Sequence, residues 1–363
     1  MKQNTRNHGI DLLRIVAMSF VVLLHQLLKS GGLEFTENMS VYRSYWLFEV
    51  VAYGAVNMFA IISGYAGYRD TEKERKWSSL LSVWAQAVFY GVIISLVFKL
   101  SGTASISWHD VAMNAFPIST NRYWYLTSYV GLFVLMPIID SAVRAMSNDK
   151  LIATSAAMLV FFSVIEVFTG ADFQTLGGYS VIWLSIMYFF GATIKKCGFE
   201  EKITTGKCIL AAAALVLITW LSKIFPIDFN VFGQIFKISD NTLVSYCSPT
   251  IIAISVLFVL IFSRLRISEK VGETISTLSS GAFAAYLINT DPNVWAYILP
   301  WQVPYMGEKS TLWLLATSII FCVLFVAASI AIDLMRAKLF KLARIDRLLA
   351  LPDRLLRKKI KVN

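Results

Sequence analysis

Residues 10–28 read Ile-Asp-Leu-Leu-Arg-Ile-Val-Ala-Met-Ser-Phe-Val-Val-Leu-Leu-His-Gln-Leu-Leu. At about 1.5 Å of rise per residue, a helix over this stretch covers about 28 Å, close to the hydrocarbon thickness of a bilayer. The same reading repeats along the chain, and predicts further spans at 46–68, 79–100, 123–140, 151–168, 179–195, 208–225, 245–262, 279–299 and 311–335. Composition agrees. The 363 residues are 57% hydrophobic and 15% charged, against about 25% charged in soluble domains. A soluble enzyme, an extracellular disulfide scaffold and a nucleic-acid-binding domain are excluded. The sequence predicts an all-α, polytopic transmembrane bundle (1–335) followed by a basic tail (336–363).

The net charge of +10 is mostly topology. Of the 33 Lys and Arg residues, 25 fall in the odd-numbered connecting segments and 7 in the even ones, with Lys99 and Lys223 credited to the even segments they adjoin and Arg14 left inside the first span. The positive-inside rule then places both termini in the cytoplasm. The tail interleaves its basic residues with Leu342, Leu348, Leu349, Leu355 and Leu356, the pattern of an amphipathic helix on an anionic membrane surface. Cys197, Cys208, Cys247 and Cys322 have no CxxC spacing, so neither a disulfide framework nor a zinc site is expected. Lys2 and Arg6 before an apolar run resemble a signal peptide, but no small-residue cleavage site follows, and the first helix is expected to be retained.

No Walker A, GxGxxG or HExxH pattern occurs, and His8, His25 and His109 are too few for a His-rich metal centre. No strong internal repeat of the kind found in many transporters is visible. The sharpest signal lies in the first span. Arg14 and His25 are eleven residues apart, which at about 100° per residue is within about 20° of three full turns. Both therefore share one face, about 16 Å apart along the axis. Asp11, three residues before Arg14, can pair with it. Arg14 alone also fits snorkelling to the headgroups, and His25 alone fits a neighbour-satisfied histidine. Their common face points to a shared polar cavity.

Arg14 and His25 preceded by Gly9-Ile10-Asp11 resemble the acyltransferase-3 family of integral membrane O-acyltransferases. Asn57-Met58-Phe59-Ala60-Ile61-Ile62-Ser63-Gly64-Tyr65 is similar to its Phe-rich stretch ending in Ser-Gly, followed here by Arg69, Lys73, Arg75 and Lys76. Tyr123-Trp124-Tyr125-Leu126 and Ala285-Tyr286-Leu287-Ile288 match two later elements, in order. The resemblance covers nearly the whole chain. One departure stands out: where much of the family has a histidine after Tyr-Leu-Ile, this chain has Asn289, then Thr290, Asp291 and Pro292. Asparagine cannot shuttle a proton near neutrality, so this position is expected to orient a substrate. The family's optional extracellular hydrolase-like domain is not expected here.

The resemblance implies transfer of an acyl group, usually acetyl, from cytoplasmic acyl-CoA to a hydroxyl of a cell-surface or lipid-linked saccharide, in the plasma membrane of a bacterium. His25 is the candidate general base, Arg14 a donor-binding or charge-stabilising group, and Asp11 the residue that holds Arg14. Arg14, Ser63, Gly64, Arg69 and Arg75 are candidates for contacting acyl-CoA, though a positive-inside loop and close helix packing explain several of them equally well. Arg122, Tyr123, Trp124, Tyr125, Asn289 and Asp291 are candidates for the acceptor, with interfacial anchoring the competing reading of the aromatics. Glu49, Asp140, Glu166 and Asp333 read as interfacial. No bound cofactor or metal is expected, acyl-CoA being a co-substrate. A transporter or flippase lined by Arg14 and His25 is the competing class, followed by a glycan polymerase, which would usually need a larger outer loop.

Overall fold

The computed structural model describes residues 6–34, 38–71, 75–225, 227–231, 234–238 and 242–360. Helix α1, His8–Ser30, opens on Asn7, whose side chain accepts from the Ile10 amide, and closes on Gly31 at φ +80°. Glycine reaches that left-handed geometry without a Cβ penalty. The chain returns through α2, Met39–Tyr53, and α3, Ala55–Gly67, which are separated only at Gly54. Next come α4, Trp77–Leu100, the short α5, Trp108–Met113, and α6, Trp124–Ala145. Helix α7, Asn148–Leu159, continues through one π turn into α8, Glu166–Thr169. Then α9, Val181–Cys197, is joined by α10, Phe199–Lys202, to α11, Thr205–Ile224.

The 226–244 segment carries an antiparallel hairpin of β1, Ile227–Val231, and β2, Gln234–Ile238. Helix α12, Pro249–Ser263, and α13, Glu269–Gly281, lead into α14, Phe283–Asn289, and α15, Pro292–Tyr297. The long α16 spans Thr311–Leu342, with α17, Ile345–Leu349, and α18, Leu351–Ile360, after it.

Among the described residues, seven helical runs are long and apolar enough to cross a membrane, and Pro249–Ser263 is apolar but shorter. The other expected spans fall on α9 and on the broken series α13–α15, so each of the ten predicted spans coincides with helix, three of them in shorter pieces. The ninth breaks because Pro292 has no amide hydrogen and cannot continue the ladder from α14. Pro292 instead begins α15, with Asp291 as its N-cap. Large apolar side chains remain on the outside, Leu210 at 73%, Leu312 at 77% and Leu324 at 62% exposure. That would be costly in water and is the natural surface of a bundle solvated by hydrocarbon. This is a multi-pass membrane protein.

Close helix packing depends on glycine at one contact. A Cβ on Gly64 would stand 1.9 Å from the Tyr188 carbonyl oxygen, and one on Gly191 would stand 2.0 Å from that of Ile61. Helices α3 and α9 therefore touch backbone to backbone, the small-residue packing that replaces hydrophobic drive inside a membrane. The expected boundary at 335 lies within α16, which runs on to Leu342. Leu342, Leu348 and Leu355 are exposed along the tail. Asp353 accepts from the Trp77 and Ser78 amides at 2.8 and 3.2 Å, capping α4 and tying the tail under the bundle.

Candidate active site

Three adjoining cavities lead towards His25, and helix α1 lines the second and third of them. The first, of about 380 Å³, is lined by Ala66, Gly67, Arg69, Thr71, Arg75, Lys76, Ser79, Tyr129, Phe133, Asp140 and Arg144. The second, of about 190 Å³, shares Tyr129 with it and adds Arg14, Ser63 and Ser279 among apolar groups. The third, of about 70 Å³, shares Met18, Phe59, Tyr125 and Phe283 with the second and contains His25, Trp124, Tyr179, Tyr246 and Tyr286. The order is a basic mouth, then Arg14, then His25 in an aromatic chamber.

Arg14 is held as its spacing predicted. Its Nη1 donates to Asp11 Oδ1 at 2.5 Å, while Asp11 Oδ2 accepts from Arg6 Nε at 2.5 Å and from Ser276 Oγ at 2.7 Å. The Asp11 side chain is 1% exposed and the Arg14 side chain 32%. The carboxylate is thus anchored to α13 and spent on two guanidinium groups, and Arg14 keeps donors facing the second cavity.

His25 owes its placement to a residue 264 positions away. Its Nδ1 is hydrogen-bonded to Asn289 Oδ1, and Trp295 stands edge-on to the ring at 4.8 Å between centroids. A carbonyl oxygen only accepts, so Nδ1 carries the proton, and in the neutral ring Nε2 keeps its lone pair. Asn289 is the last residue of α14 and is fully buried. Its Nδ2 has no hydrogen-bond partner among the described residues. Asn289 therefore meets the histidine itself. No spacing rule within one helix could have paired α1 with α14.

The other expected residues divide. Ser63 lines the second cavity, and its hydroxyl donates to the Phe59 carbonyl at 2.8 Å. Gly64 lines none of the three, being consumed by the α3–α9 contact. Arg69 lies at the mouth, its Nη1 donating to the Ala66 and Tyr68 carbonyls. Arg75 also lines the mouth, but its Nη2 is engaged by Asp140 Oδ2 at 2.7 Å and by the Tyr188 hydroxyl. Asp140, read from the sequence as interfacial, is thus a buried partner of the basic cluster. Lys76 and Arg144 complete the mouth, and the sequence reading had not singled out Arg144. Lys73 lies outside the described residues.

Arg122 is paired with a carboxylate of the broken ninth span. Its Nη2 donates to Asp291 Oδ2 at 2.5 Å, and the Asp291 side chain is 0% exposed. Burial would lower the Arg122 guanidinium, but the adjacent Asp291 carboxylate together with Tyr123 outweighs it and the net shift is upward. Asp291 also caps α15 through the Asn293 amide at 2.9 Å. This pair clamps the start of α6 to the break that presents Asn289. Trp124 and Tyr125 do face the His25 chamber, whereas Tyr123 is buried and packs its ring 6.1 Å from that of Tyr286. The Tyr286 hydroxyl accepts from the Tyr125 amide at 3.2 Å, which ties the two matched late elements together.

Residues 7–332 match the model of the acyltransferase-3 family, described as an acyltransferase domain. This chain belongs to that family. The match ends ten residues before α16 does and takes in every residue lining the three cavities. No curated protein and no solved structure matches the chain. Membership makes the protein a membrane acyltransferase. Among the other carboxylates read as interfacial, Glu49, Glu166 and Asp333 are all buried. Asp333 accepts from Gln86, Tyr90 and Arg336, and Glu166 accepts from Thr175 and the Phe173 amide.

Proposed function

We propose that this protein moves an acyl group, acetyl in the simplest case, from acyl-CoA to a hydroxyl of a cell-surface or lipid-linked saccharide, with His25 as general base. The observation that carries the reading is the series of adjoining cavities: a basic mouth, then the cavity of Arg14, then the chamber of His25. The donor enters at the mouth, where Arg69, Lys76 and Arg144 suit the phosphates of CoA, a polyanion that guanidinium groups bind well. The arm of the donor passes Arg14 and Ser63, and the thioester reaches the aromatic chamber. Because the mouth lies on the side where the positive-inside rule places the cytoplasm, donor and acceptor approach from opposite faces of a plasma membrane.

In the chamber, His25 Nε2 takes the proton of the acceptor hydroxyl as its oxygen attacks the thioester carbonyl carbon. The tetrahedral intermediate collapses with cleavage of the carbon–sulfur bond. The departing sulfur receives the proton from Nε2, leaving an ester and free CoA. Asn289 fixes the tautomer and the ring orientation that this exchange needs. Arg14 cannot serve as a base because it does not give up its proton, so its role is to bind and orient the donor. Family membership favours this chemistry over the transport reading of the same polar track.

Acyl-CoA binding to the Arg14→Ala and Arg69→Ala proteins tests the donor route. Each substitution is expected to weaken acetyl-CoA binding. Unchanged affinity in both removes the route.

A further inference from the structure

Helix α4 begins without a cap of its own. Its N-cap residue, Lys76, makes no side-chain bond to the first turn, and the leading amides of a helix have no intrahelical partner. Asp353 of α18 meets them instead. Its Oδ1 accepts from the Trp77 amide at 2.8 Å, and its Oδ2 accepts from the Ser78 amide at 3.2 Å and from the Ser78 hydroxyl. A carboxylate is the group that the positive end of a helix favours. The route that delivers it is built into the fold. Phe340, near the end of α16, stands edge-on to Phe89 of α4 at 5.7 Å between centroids, and the chain then turns at Arg344, with φ +56°, into α17 and α18.

The capped turn borders the donor mouth. Arg75, Lys76 and Ser79 line that cavity, so Trp77 and Ser78 stand between lining residues. The Trp77 ring lies 5.6 Å from that of Phe133, itself a lining residue. Arg75 is fixed on the other side by Asp140 at 2.7 Å. Lys76, exposed at the mouth, is therefore held between two fixed points, one on α6 and one on the tail. Asp353 lies outside residues 7–332, the stretch that matches the family, and the family's motifs do not account for it. We propose that Asp353 is a positioning residue of the donor site: it touches no donor, but by capping α4 it fixes Lys76 and Ser79 where the phosphates of acyl-CoA enter. The proposal rests on the donor route of the acyl-transfer reading and adds the tail to it.

The test uses the full-length protein in lipid nanodiscs, with CoA as the binding probe, acetyl-CoA as substrate and total surface glycan as acceptor. Asp353→Ala removes all three bonds, and donor binding then has to re-form the first turn of α4. CoA affinity is expected to fall about 2- to 30-fold, the range that one N-cap can supply. The KM for acetyl-CoA rises with it while kcat keeps its wild-type value, because His25 and Arg14 are untouched. Asp353→Asn keeps one accepting oxygen and lies between the two. Thermal unfolding shows that the variants are folded, and if Asp353→Ala is not, Asp353→Asn carries the comparison alone. Wild-type CoA affinity in the variants overturns the proposal. A fall in kcat with the KM unmoved overturns it as well, because that is damage away from the mouth. An absence of CoA binding to the wild type overturns it together with the donor route. If CoA binding depends on Asp353 but no acetyl is transferred, the positioning role stands and the transfer reading fails. If transfer proceeds while Asp353→Ala keeps its KM for acetyl-CoA, the reverse holds.

Discussion

Replacing Asn289 by leucine removes one acceptor while conserving approximate volume, and so isolates the bond from Asn289 Oδ1 to His25 Nδ1. Asn289 is completely buried, and water cannot simply substitute. Leaving the imidazole N–H unpaired in such a place costs about 1–3 kcal/mol. The ring relieves that cost by rotating or by adopting the other tautomer, and either change withdraws the Nε2 lone pair from the acceptor hydroxyl. If the whole penalty falls on the transition state, kcat drops about 5- to 150-fold, at about 1.4 kcal/mol per factor of ten. The KM for acyl-CoA stays the same, since neither the mouth nor Arg14 is touched. Asn289→Asp keeps an acceptor oxygen at the same position and retains more activity than Asn289→Leu. The assay is initial-rate CoA release from acetyl-CoA with saturating acceptor, on proteins shown to be folded by their unfolding temperatures. Wild-type kcat in Asn289→Leu would refute the positioning argument, as would equal losses in the two variants.

Three other outcomes follow from the same contacts. Asp11→Ala strips the buried partner from Arg6, Arg14 and Ser276. It should destabilise the protein by about 3–5 kcal/mol and raise the KM for acyl-CoA, measured by thermal unfolding and steady-state kinetics. Gly64→Ala drives a methyl group into the Tyr188 carbonyl oxygen; overpacking of this kind costs about 1–3 kcal/mol or more, visible as a lowered unfolding temperature, and an unchanged temperature would show that α3 and α9 do not pack so closely. Arg122→Ala leaves the Asp291 carboxylate buried and unpaired, for a loss of about 3–5 kcal/mol, and Arg122→Lys should restore only part of it because a single ammonium replaces a guanidinium fork.

The parts of this structure that depend on one helix at a time were readable in advance. Apolar stretches of membrane length marked the spans, and the 3.6-residue period put Arg14 and His25 on one face with Asp11 in reach of Arg14. The Pro292 break followed from the missing amide hydrogen. The parts that depend on which helices become neighbours were not readable. Nothing in the sequence pairs His25 with Asn289, Arg75 with Asp140, or Arg122 with Asp291, because these contacts are made only once distant helices pack. For the same reason the sequence left Gly64 open between a donor contact and close helix packing, until α9 was seen to approach over its hydrogen. Glu49 and Asp140 looked interfacial by position along their spans, because depth in a bundle is set by neighbours and not by distance from a helix end. Residues 227–231 and 234–238 form their hairpin in a connection whose apolar neighbours drew attention to the helices alone.

The central claim is acyl transfer with His25 as the base. The direct measurement is release of free CoA from labelled acetyl-CoA by the purified wild-type and His25→Ala proteins, with total surface glycan as acceptor and the label followed into the glycan. The account predicts CoA release coupled to labelled glycan in the wild type and loss of both in His25→Ala with the fold intact. Transfer by His25→Ala at the wild-type rate would contradict it.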